Sequence, residues 1–251
     1  MQLNNKTFSV VTLGCKVNSF ESNNFVNQMI AFSCKQTDDI TKADICIINT
    51  CCVTNKAVSK SKYFIQKAIR SKKTQLVVIV GCLPQLDANF IKNKKIGIIL
   101  GSKHKGELVN VIKQYNGTLI NNVDNFSKTD KFEKLGLQLF NDNTRAFLKI
   151  QDGCNYMCSY CIIPFVRGRQ RSLAHTEVLN DINALIQHGY HEIVLTGVNT
   201  AGYYDGDNYR FYDLLKDINK VKGNFRVRIS SVEPFQINHQ IINLIAANSQ
   251  R

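Results

Sequence analysis

The chain has 251 residues, 44% of them hydrophobic, which is enough for two domains with packed cores. Its 32 Lys and Arg against 19 Asp and Glu give a net charge of +13, which favours a polyanionic partner such as nucleic acid; lysine usage set by genome base composition is the alternative. No apolar run approaches the roughly 20 residues that span a bilayer and no signal peptide begins the chain, so we expect a cytoplasmic protein with no membrane segment.

Residues 8–115 alternate between apolar runs and stretches of helical periodicity. Strands are predicted at 8–13, 43–49, 76–80 and 96–100, and helical patterns follow the first, the second and the fourth of them. Asn18 and Glu21, three residues apart, predict a capping box on the first helix, and Thr54 predicts the cap of the second. Strands that alternate with helices predict a parallel sheet, so we assign residues 1–115 to an N-terminal α/β domain.

Three isolated cysteines fall at the carboxyl ends of different predicted strands in this domain. They are Cys15, Cys51 and Cys82. Open α/β sheets place their ligands at this edge, so three thiolates from neighbouring strands would converge on one metal cluster. The alternative is three unrelated core cysteines, since cysteine is often buried. Because nine cysteines in a reducing compartment favour metal or redox chemistry over disulfides, we prefer the cluster.

Residues 116–144 are polar and irregular, and we interpret them as a linker with a short strand within 118–123. A second α/β domain is predicted over residues 145–251. Its expected elements are strands at 145–150, 192–198 and 225–230 and helices at 176–187, around 211–218 and from 237. Strand 225–230 would form an unpaired apolar edge, which is an aggregation hazard in a free protein.

The strongest motif lies directly after the first strand of this second domain. Cys154, Cys158 and Cys161 have C-x3-C-x2-C spacing, with Tyr160 before the last cysteine. Iron–sulfur clusters usually take four thiolates, so a compact triplet without a fourth ligand indicates a cluster with one iron open to a substrate. The alternative is a zinc knuckle, which would need a fourth protein ligand, and the nearest downstream histidine is His175.

Four separated motifs resemble one protein family. The chain resembles radical S-adenosylmethionine (SAM) methylthiotransferases in the segments TLGCKVN at 12–18, INTCCVTNKA at 48–57 and VGC at 80–82, and in the triplet together with the IPFVRGRQRS run that follows it at 163–172. The forms at 12–18 and 49–57 look most like the enzymes that act on threonylcarbamoyladenosine in tRNA. This resemblance implies a Rossmann-like N-terminal methylthiotransferase domain followed by a radical-SAM (βα) partial barrel.

The resemblance also implies two [4Fe-4S] clusters. The cluster on Cys154, Cys158 and Cys161 would bind SAM through its open iron and reduce it to a radical, which makes these three cysteines the catalytic ones. The cluster on Cys15, Cys51 and Cys82 would hold or donate the sulfur. Cys52 adjoins Cys51 and would compete for iron, but the family motif puts the ligand at Cys51.

Other site residues follow from their predicted position alone. Three polar residues follow the ends of two predicted strands of the second domain, where SAM would lie: Asn199, Ser230 and Glu233. The alternative to a role in SAM binding is that they form the hydrogen bonds of ordinary turns. Three alternating arginines follow the triplet and would contact the SAM carboxylate or RNA phosphate, with a solvated basic loop as the alternative: Arg167, Arg169 and Arg171.

The implied function is a tRNA methylthiotransferase that modifies C2 of N6-threonylcarbamoyladenosine beside the anticodon. Its implied partners are tRNA, an electron donor such as flavodoxin or ferredoxin, and a sulfur donor. Alternatives are the related enzymes for isopentenyladenosine in tRNA or a ribosomal-protein aspartate, and a non-catalytic iron–sulfur remnant. A complete barrel would have about six strands and a C-terminal RNA-binding β-domain would follow it, so we expect an incomplete barrel from a fragment, a truncated gene product or a frameshifted pseudogene.

Overall fold

The computed structural model describes residues 1–87, 93–137, 139 and 144–251. These residues form two compact units. The first unit comprises Met1–Phe126 together with Cys158–Arg167, and the second comprises Ser127–Met157 together with Gly168–Arg251. No helix within the described ranges has the length and apolar character needed to cross a membrane.

The first unit contains a sheet in which the described residues supply six strands. These are β1 Thr7–Thr12, β2 Lys35–Gln36, β3 Ile45–Thr50, β4 Leu76–Gly81, β5 Ile96–Leu100 and β6 Ile120–Asn122. All neighbouring pairs are parallel, and the order across the sheet is β2-β1-β3-β4-β5-β6. Every residue of β3 and β4 is buried, as expected of central strands covered on both faces. The predicted α/β class with a parallel sheet is confirmed.

The short strand predicted within 118–123 is β6. It pairs with β5, with Ile98 opposite Ile120, so it belongs to the sheet rather than to a connecting segment. The described helices of this unit are α1 Lys16–Ala31, α2 Asn55–Arg70, α3 Cys82–Leu86, α4 Leu108–Gln114 and α5 Ile163–Arg167. Helices α1 and α4 contribute to the apolar core on one face, and α2 contributes to the core on the other.

The first turns of α1 and α2 can be compared with the helix caps predicted for them. The Thr54 hydroxyl accepts a hydrogen bond of 3.1 Å from the backbone N–H of Ala57 and caps α2, as predicted. The capping box of Asn18 and Glu21 is wrong, because α1 begins earlier, with Cys15 as its N-cap and no side-chain cap. Asn18 and Glu21 lie inside the helix and are fully buried, so their polarity serves another purpose.

Asp44 fastens the amino-terminal ends of the strands. Its Oδ2 accepts hydrogen bonds from the backbone N–H and the hydroxyl of Thr7, at 2.9 and 2.7 Å, and its Oδ1 lies 2.9 Å from Nζ of Lys73. Burial works against the ionised carboxyl, but these hydrogen bonds outweigh it and lower the pKa of Asp44 from 3.8 to about 2. The ionised form therefore joins β1 to the start of β3.

The second unit has a parallel sheet whose described strands are β7 Arg145–Lys149, β10 Glu192–Thr196 and β11 Arg226–Ile229, in the order β11-β10-β7. A separate antiparallel pair consists of β8 Gln151–Asp152 and β9 Arg171–Ser172. The helices are α6 His175–Gln187, α7 Phe211–Lys220 and α8 His239–Ala247. The βα order predicted for this region is confirmed.

Strand β11 lies at the edge of this sheet, as predicted, but the edge is not uniformly apolar. Exposed Arg226 and Arg228 alternate with half-buried Val227 and Ile229. The backbone N–H of Val227 donates to the carbonyl oxygen of Arg251 at 2.6 Å, which satisfies a donor on the outer side. The charged side chains and this bond reduce the exposure of the edge to other strands.

Candidate functional site

The first candidate site lies at the carboxyl ends of three adjacent strands. Cys15 follows β1 by three residues, Cys51 directly follows β3, and Cys82 directly follows β4. Since β3 pairs with both β1 and β4, the three positions share one edge of the sheet, as the sequence predicted. Cys51 and Cys82 are buried, whereas Cys15 is exposed.

Gly14 permits a close approach between two of these positions. Its φ is +98°, and a Cβ there would lie 2.7 Å from both Cβ and Sγ of Cys51. Burial raises the pKa of the Cys51 thiol, and neighbouring Cys82 and Cys15 raise it further, because a second thiolate nearby repels the first. Cys51 therefore shares its surroundings with both of the other cysteines of this set.

The donor chemistry at this edge fits an iron–sulfur cluster, because three thiols share it and one ligand position would remain open. A cavity of about 490 Å³ adjoins Cys15 and Cys51, a volume in the range of ligand pockets, and Lys56 and Lys60 line its rim. Among the described residues, no three His, Cys, Asp or Glu side chains are grouped as a metal site.

Cys52 has different surroundings from Cys51. Its Sγ donates to the carbonyl oxygen of Cys82 at 3.4 Å, and it packs with Cys82, Leu83 and Val166. Cys51 packs instead into the core on the α2 face of the sheet. Burial is the main reason that the pKa of Cys52 is raised to about 12, which makes it a poor source of thiolate. Cys15, Cys51 and Cys82 therefore have unequal surroundings, because Cys82 packs against Cys52 whereas Cys51 packs into the core on the α2 face.

A buried polar network lies beneath this edge, and the sequence did not predict it. Arg167 donates from Nη1 to Glu21 Oε1 at 3.0 Å and from Nη2 to Asn18 Oδ1 at 2.6 Å. Lys105 Nζ donates to Glu21 Oε2 at 2.5 Å. Glu21 is 0% exposed, and Arg167 and Lys105 are each 1% exposed. The solvated loop weighed for Arg167 is therefore wrong.

The other two arginines after the triplet have different environments. Arg169 is exposed. Arg171 donates from Nη1 to the carbonyl oxygen of Arg169 at 2.7 Å, and its Nη2 lies 4.0 Å from Oδ2 of Asp152. The three alternating arginines, Arg167, Arg169 and Arg171, therefore lie in three different local environments and do not share one role.

The C-x3-C-x2-C triplet is distributed over both units. Cys154 belongs to the second unit, where its backbone N–H donates to the carbonyl oxygen of Gly168 at 3.1 Å. Cys158 and Cys161 belong to the first, where the N–H of Cys161 donates to the carbonyl oxygen of Cys158 at 3.0 Å. Their assignment to one cluster stays a prediction from the spacing.

Gly153 allows the turn that presents Cys154. Its φ is +69°, and a Cβ there would lie 2.1 Å from the carbonyl oxygen of Arg169. Gln151 holds the same turn: its Nε2 donates to the carbonyl oxygen of Gly153 at 2.6 Å, and its Oε1 accepts from the backbone N–H of Asn199 at 2.8 Å. This fully buried side chain joins the turn of Cys154 to the end of β10.

Unsatisfied polar atoms mark the end of β10. Within the described structure, Nδ2 and Oδ1 of buried Asn199 and Oγ1 of buried Thr200 have no hydrogen-bond partner. Buried polar groups are rarely left unpaired, so a polar ligand at this strand end would satisfy them. Asn199 was predicted from the sequence as a SAM contact, whereas Thr200 and Gln151 were not.

The remaining two predicted SAM contacts already have local roles. The hydroxyl of buried Ser230 donates to the carbonyl oxygen of Leu195 at 2.8 Å. Glu233 is exposed and precedes a short turn at Pro234–Gln236, and its backbone N–H donates to Oε1 of Gln236 at 3.2 Å. Turn chemistry, the alternative weighed for Glu233, describes these contacts.

Comparisons with known proteins match two separate segments of the chain. Residues 7–101 match the family described as uncharacterized protein family UPF0004, and residues 148–244 match the Radical SAM superfamily. The chain is 38% identical over 244 residues to threonylcarbamoyladenosine tRNA methylthiotransferase MtaB of Bacillus subtilis, covering 95% of this chain and 54% of that protein. It is 31% identical over 256 residues to tRNA-2-methylthio-N(6)-dimethylallyladenosine synthase of Fusobacterium nucleatum, covering 98% of this chain and 58% of that protein.

A solved structure shares the fold. The radical S-adenosylmethionine methyltransferase TsrM of Kitasatospora setae aligns with a TM-score of 0.58 at 14% identity, over 96% of this chain and 57% of that one. The chain spans about half the length of the curated relatives it matches, 54% of the Bacillus subtilis protein and 58% of the Fusobacterium nucleatum protein. With both matched segments and their motifs present, the chain belongs to the methylthiotransferase family of radical SAM enzymes.

Proposed function

We propose that this chain carries both cysteine sites of a methylthiotransferase that acts on C2 of N6-threonylcarbamoyladenosine beside the tRNA anticodon. The observation that carries the proposal is the pair of three-cysteine sets, one within each matched segment, with the first set at neighbouring strand ends. The greater similarity to the Bacillus subtilis enzyme, 38% against 31% for the Fusobacterium nucleatum enzyme, favours the threonylcarbamoyl substrate.

In this proposal Cys15, Cys51 and Cys82 would hold one [4Fe-4S] cluster, and the C-x3-C-x2-C triplet would hold the other together with SAM. When bound, these groups supply one-electron reduction, a methyl group and a point of attachment for sulfur. Around the first set, Gly14 lets Cys51 approach the backbone that leads to Cys15.

The second unit would contribute the binding of SAM. Asn199 and Thr200 offer buried donors and acceptors that the polar groups of SAM would satisfy. Gln151 would keep the turn of Cys154 in register with this pocket, because its amide bonds to both. The burial of Asn199 and Thr200 would also keep water from competing for their polar atoms.

The proposed partners are tRNA, an electron donor such as flavodoxin or ferredoxin, and a sulfur donor. A net charge of +13 supports the tRNA assignment, because Lys and Arg neutralise backbone phosphates and release counterions on binding.

The test is a single-codon replacement in the native gene. Cys154→Ala should abolish 2-methylthio-N6-threonylcarbamoyladenosine in cellular tRNA, measured by mass spectrometry of nucleosides, and leave its unmodified precursor in its place. Cys34→Ala is the matched control, because Cys34 is buried in the apolar core of the first unit and lies in neither cysteine set.

The other outcomes choose among the alternatives. Loss of the 2-methylthio derivative of isopentenyladenosine would identify the second tRNA substrate. Unchanged tRNA with loss of methylthiolation on a ribosomal-protein aspartate would identify the protein substrate. No change in any of the three products would refute the proposed activity.

A further inference from the structure

The buried charges of the first unit need an explanation beyond stability. Glu21, Lys105 and Arg167 are each at most 1% exposed, and they come from α1, from the turn before α4 and from the end of α5. Removing charges from water is unfavourable, and a buried ion pair often stabilises a fold no better than apolar side chains of the same volume. Three such groups in one place therefore suggest a role in the chemistry of the site.

The three side chains leave an excess of one positive charge, because one carboxylate is shared by two cations. The other buried carboxylate described in this unit is Asp44, which lies at the amino-terminal ends of the strands and is paired with Lys73. The positive excess lies at the opposite end of the sheet, because Arg167 contacts Asn18 beside Cys15.

Asn18 connects this charge to the cysteine-bearing loops. Its Oδ1 accepts from Arg167 and lies 3.8 Å from Sγ of Cys15. Its Nδ2 donates to the carbonyl oxygens of Leu13 at 2.6 Å and Thr50 at 3.0 Å. These carbonyls precede Gly14–Cys15 and Cys51, so a single amide holds both loops and is polarised by Arg167.

The charge of Arg167 lies in a buried setting, because its side chain is 1% exposed and contacts Asn18 beside Cys15. The same charge would act on any anionic group bound at the cysteine sulfurs, since a low dielectric screens it less than water does.

We propose that Glu21, Lys105 and Arg167 form an electrostatic support for the anionic iron–sulfur group at Cys15, Cys51 and Cys82. In this arrangement Arg167 supplies the positive charge, Asn18 transmits it and sets the positions of the two loops, and Glu21 fixes the two cations. Addition of one electron makes the bound group more negative, so a fixed positive charge favours the reduced form and raises its reduction potential. This inference rests on the proposed function, which supplies the cluster.

The test uses the full chain with Cys154, Cys158 and Cys161 replaced by alanine, so that one cluster site remains. After anaerobic reconstitution, iron content and the midpoint potential are measured by redox titration. Arg167→Gln removes the excess charge and should shift the potential to more negative values. Glu21→Gln combined with Lys105→Met removes one charge of each sign and should leave the potential close to that of the parent.

Two further variants separate charge from structure. Arg167→Lys keeps the charge but loses the two-pronged contact, so it should restore the potential even where iron loading falls. If Arg167→Gln does not fold, as judged by circular dichroism, Lys105→Met alone removes the same charge and should shift the potential in the same direction.

Equal shifts in the charge-removing and charge-neutral variants, or no shift in either, would overturn the inference while leaving the proposed cluster intact. Absence of iron from the parent with an intact network would instead refute the proposed site, and this inference with it.

Discussion

Gly14 provides the sharpest test of how the first cysteine site is built. Its backbone has φ of +98°, and an added Cβ would lie 2.7 Å from Cβ and Sγ of Cys51. Gly117 is a matched control in the same unit, because its φ is +102° and nothing lies within 4 Å of the position that a Cβ would take. Alanine at either position meets a positive φ of similar size, but only at Gly14 does it also meet Cys51.

The two substitutions should therefore differ in their loss of unfolding free energy only by the cost of the contact with Cys51. A non-glycine residue at positive φ costs about 1–2 kcal/mol, which both variants share. Forcing a methyl group into a filled site costs about 1–3 kcal/mol more, and Gly14→Ala alone incurs this. We expect losses in the free energy of unfolding of about 2–5 kcal/mol for Gly14→Ala and about 1–2 kcal/mol for Gly117→Ala.

The assay combines urea denaturation with iron analysis after anaerobic reconstitution, in the protein that lacks the C-x3-C-x2-C cysteines. Because the displaced group is Cys51, Gly14→Ala should lose most of its iron while Gly117→Ala keeps it. Equal iron content and equal unfolding free energies in the two variants would refute the idea that this close approach sets the site.

Three further predictions follow from the described contacts. Cys51→Ser should lose about half of the iron of the full chain while Cys52→Ser keeps it, measured by iron and sulfide content; the reverse would shift the ligand assignment by one residue. Gly153→Ala should lose the iron of the second site, and its SAM binding as measured by calorimetry, because the added Cβ would meet backbone atoms. Gly136→Ala is the control: its φ is +73° and the position of its Cβ is open, so it should retain both, and equal losses in the two variants would contradict this prediction. Asp44→Asn should be less stable than the parent at pH 7. Because the pKa of Asp44 is lowered from 3.8 to about 2 in the folded protein, its stabilisation is lost as the pH falls below 3.8 and through about 2, and the difference in unfolding free energy should shrink over that range. A difference that is as large at pH 2 as at pH 7 would rule out the carboxylate as its source.

Local sequence patterns determined most of the secondary structure. Continuous apolar runs identified β3 and β4 because central parallel strands are buried on both faces, and the order of strand and loop placed Cys51 and Cys82 at strand ends. Thr54 was recognisable as a cap because a cap acts on its own first turn, at Ala57. Each of these inferences involves neighbours in the chain.

Contacts between residues that are far apart in the sequence were decided only by the tertiary structure. Asn18 and Glu21 had the spacing of a capping box, yet both are buried, because Arg167 and Lys105 reach Glu21 from 146 and 84 residues away. A polar side chain is stable in a core only when other residues satisfy its hydrogen bonds. The helical periodicity of a sequence indicates which face of a helix is apolar, but it does not identify those hydrogen-bond partners. For the same reason the sequence could place Cys52 next to Cys51, but only the packing of the folded chain put its thiol against Cys82.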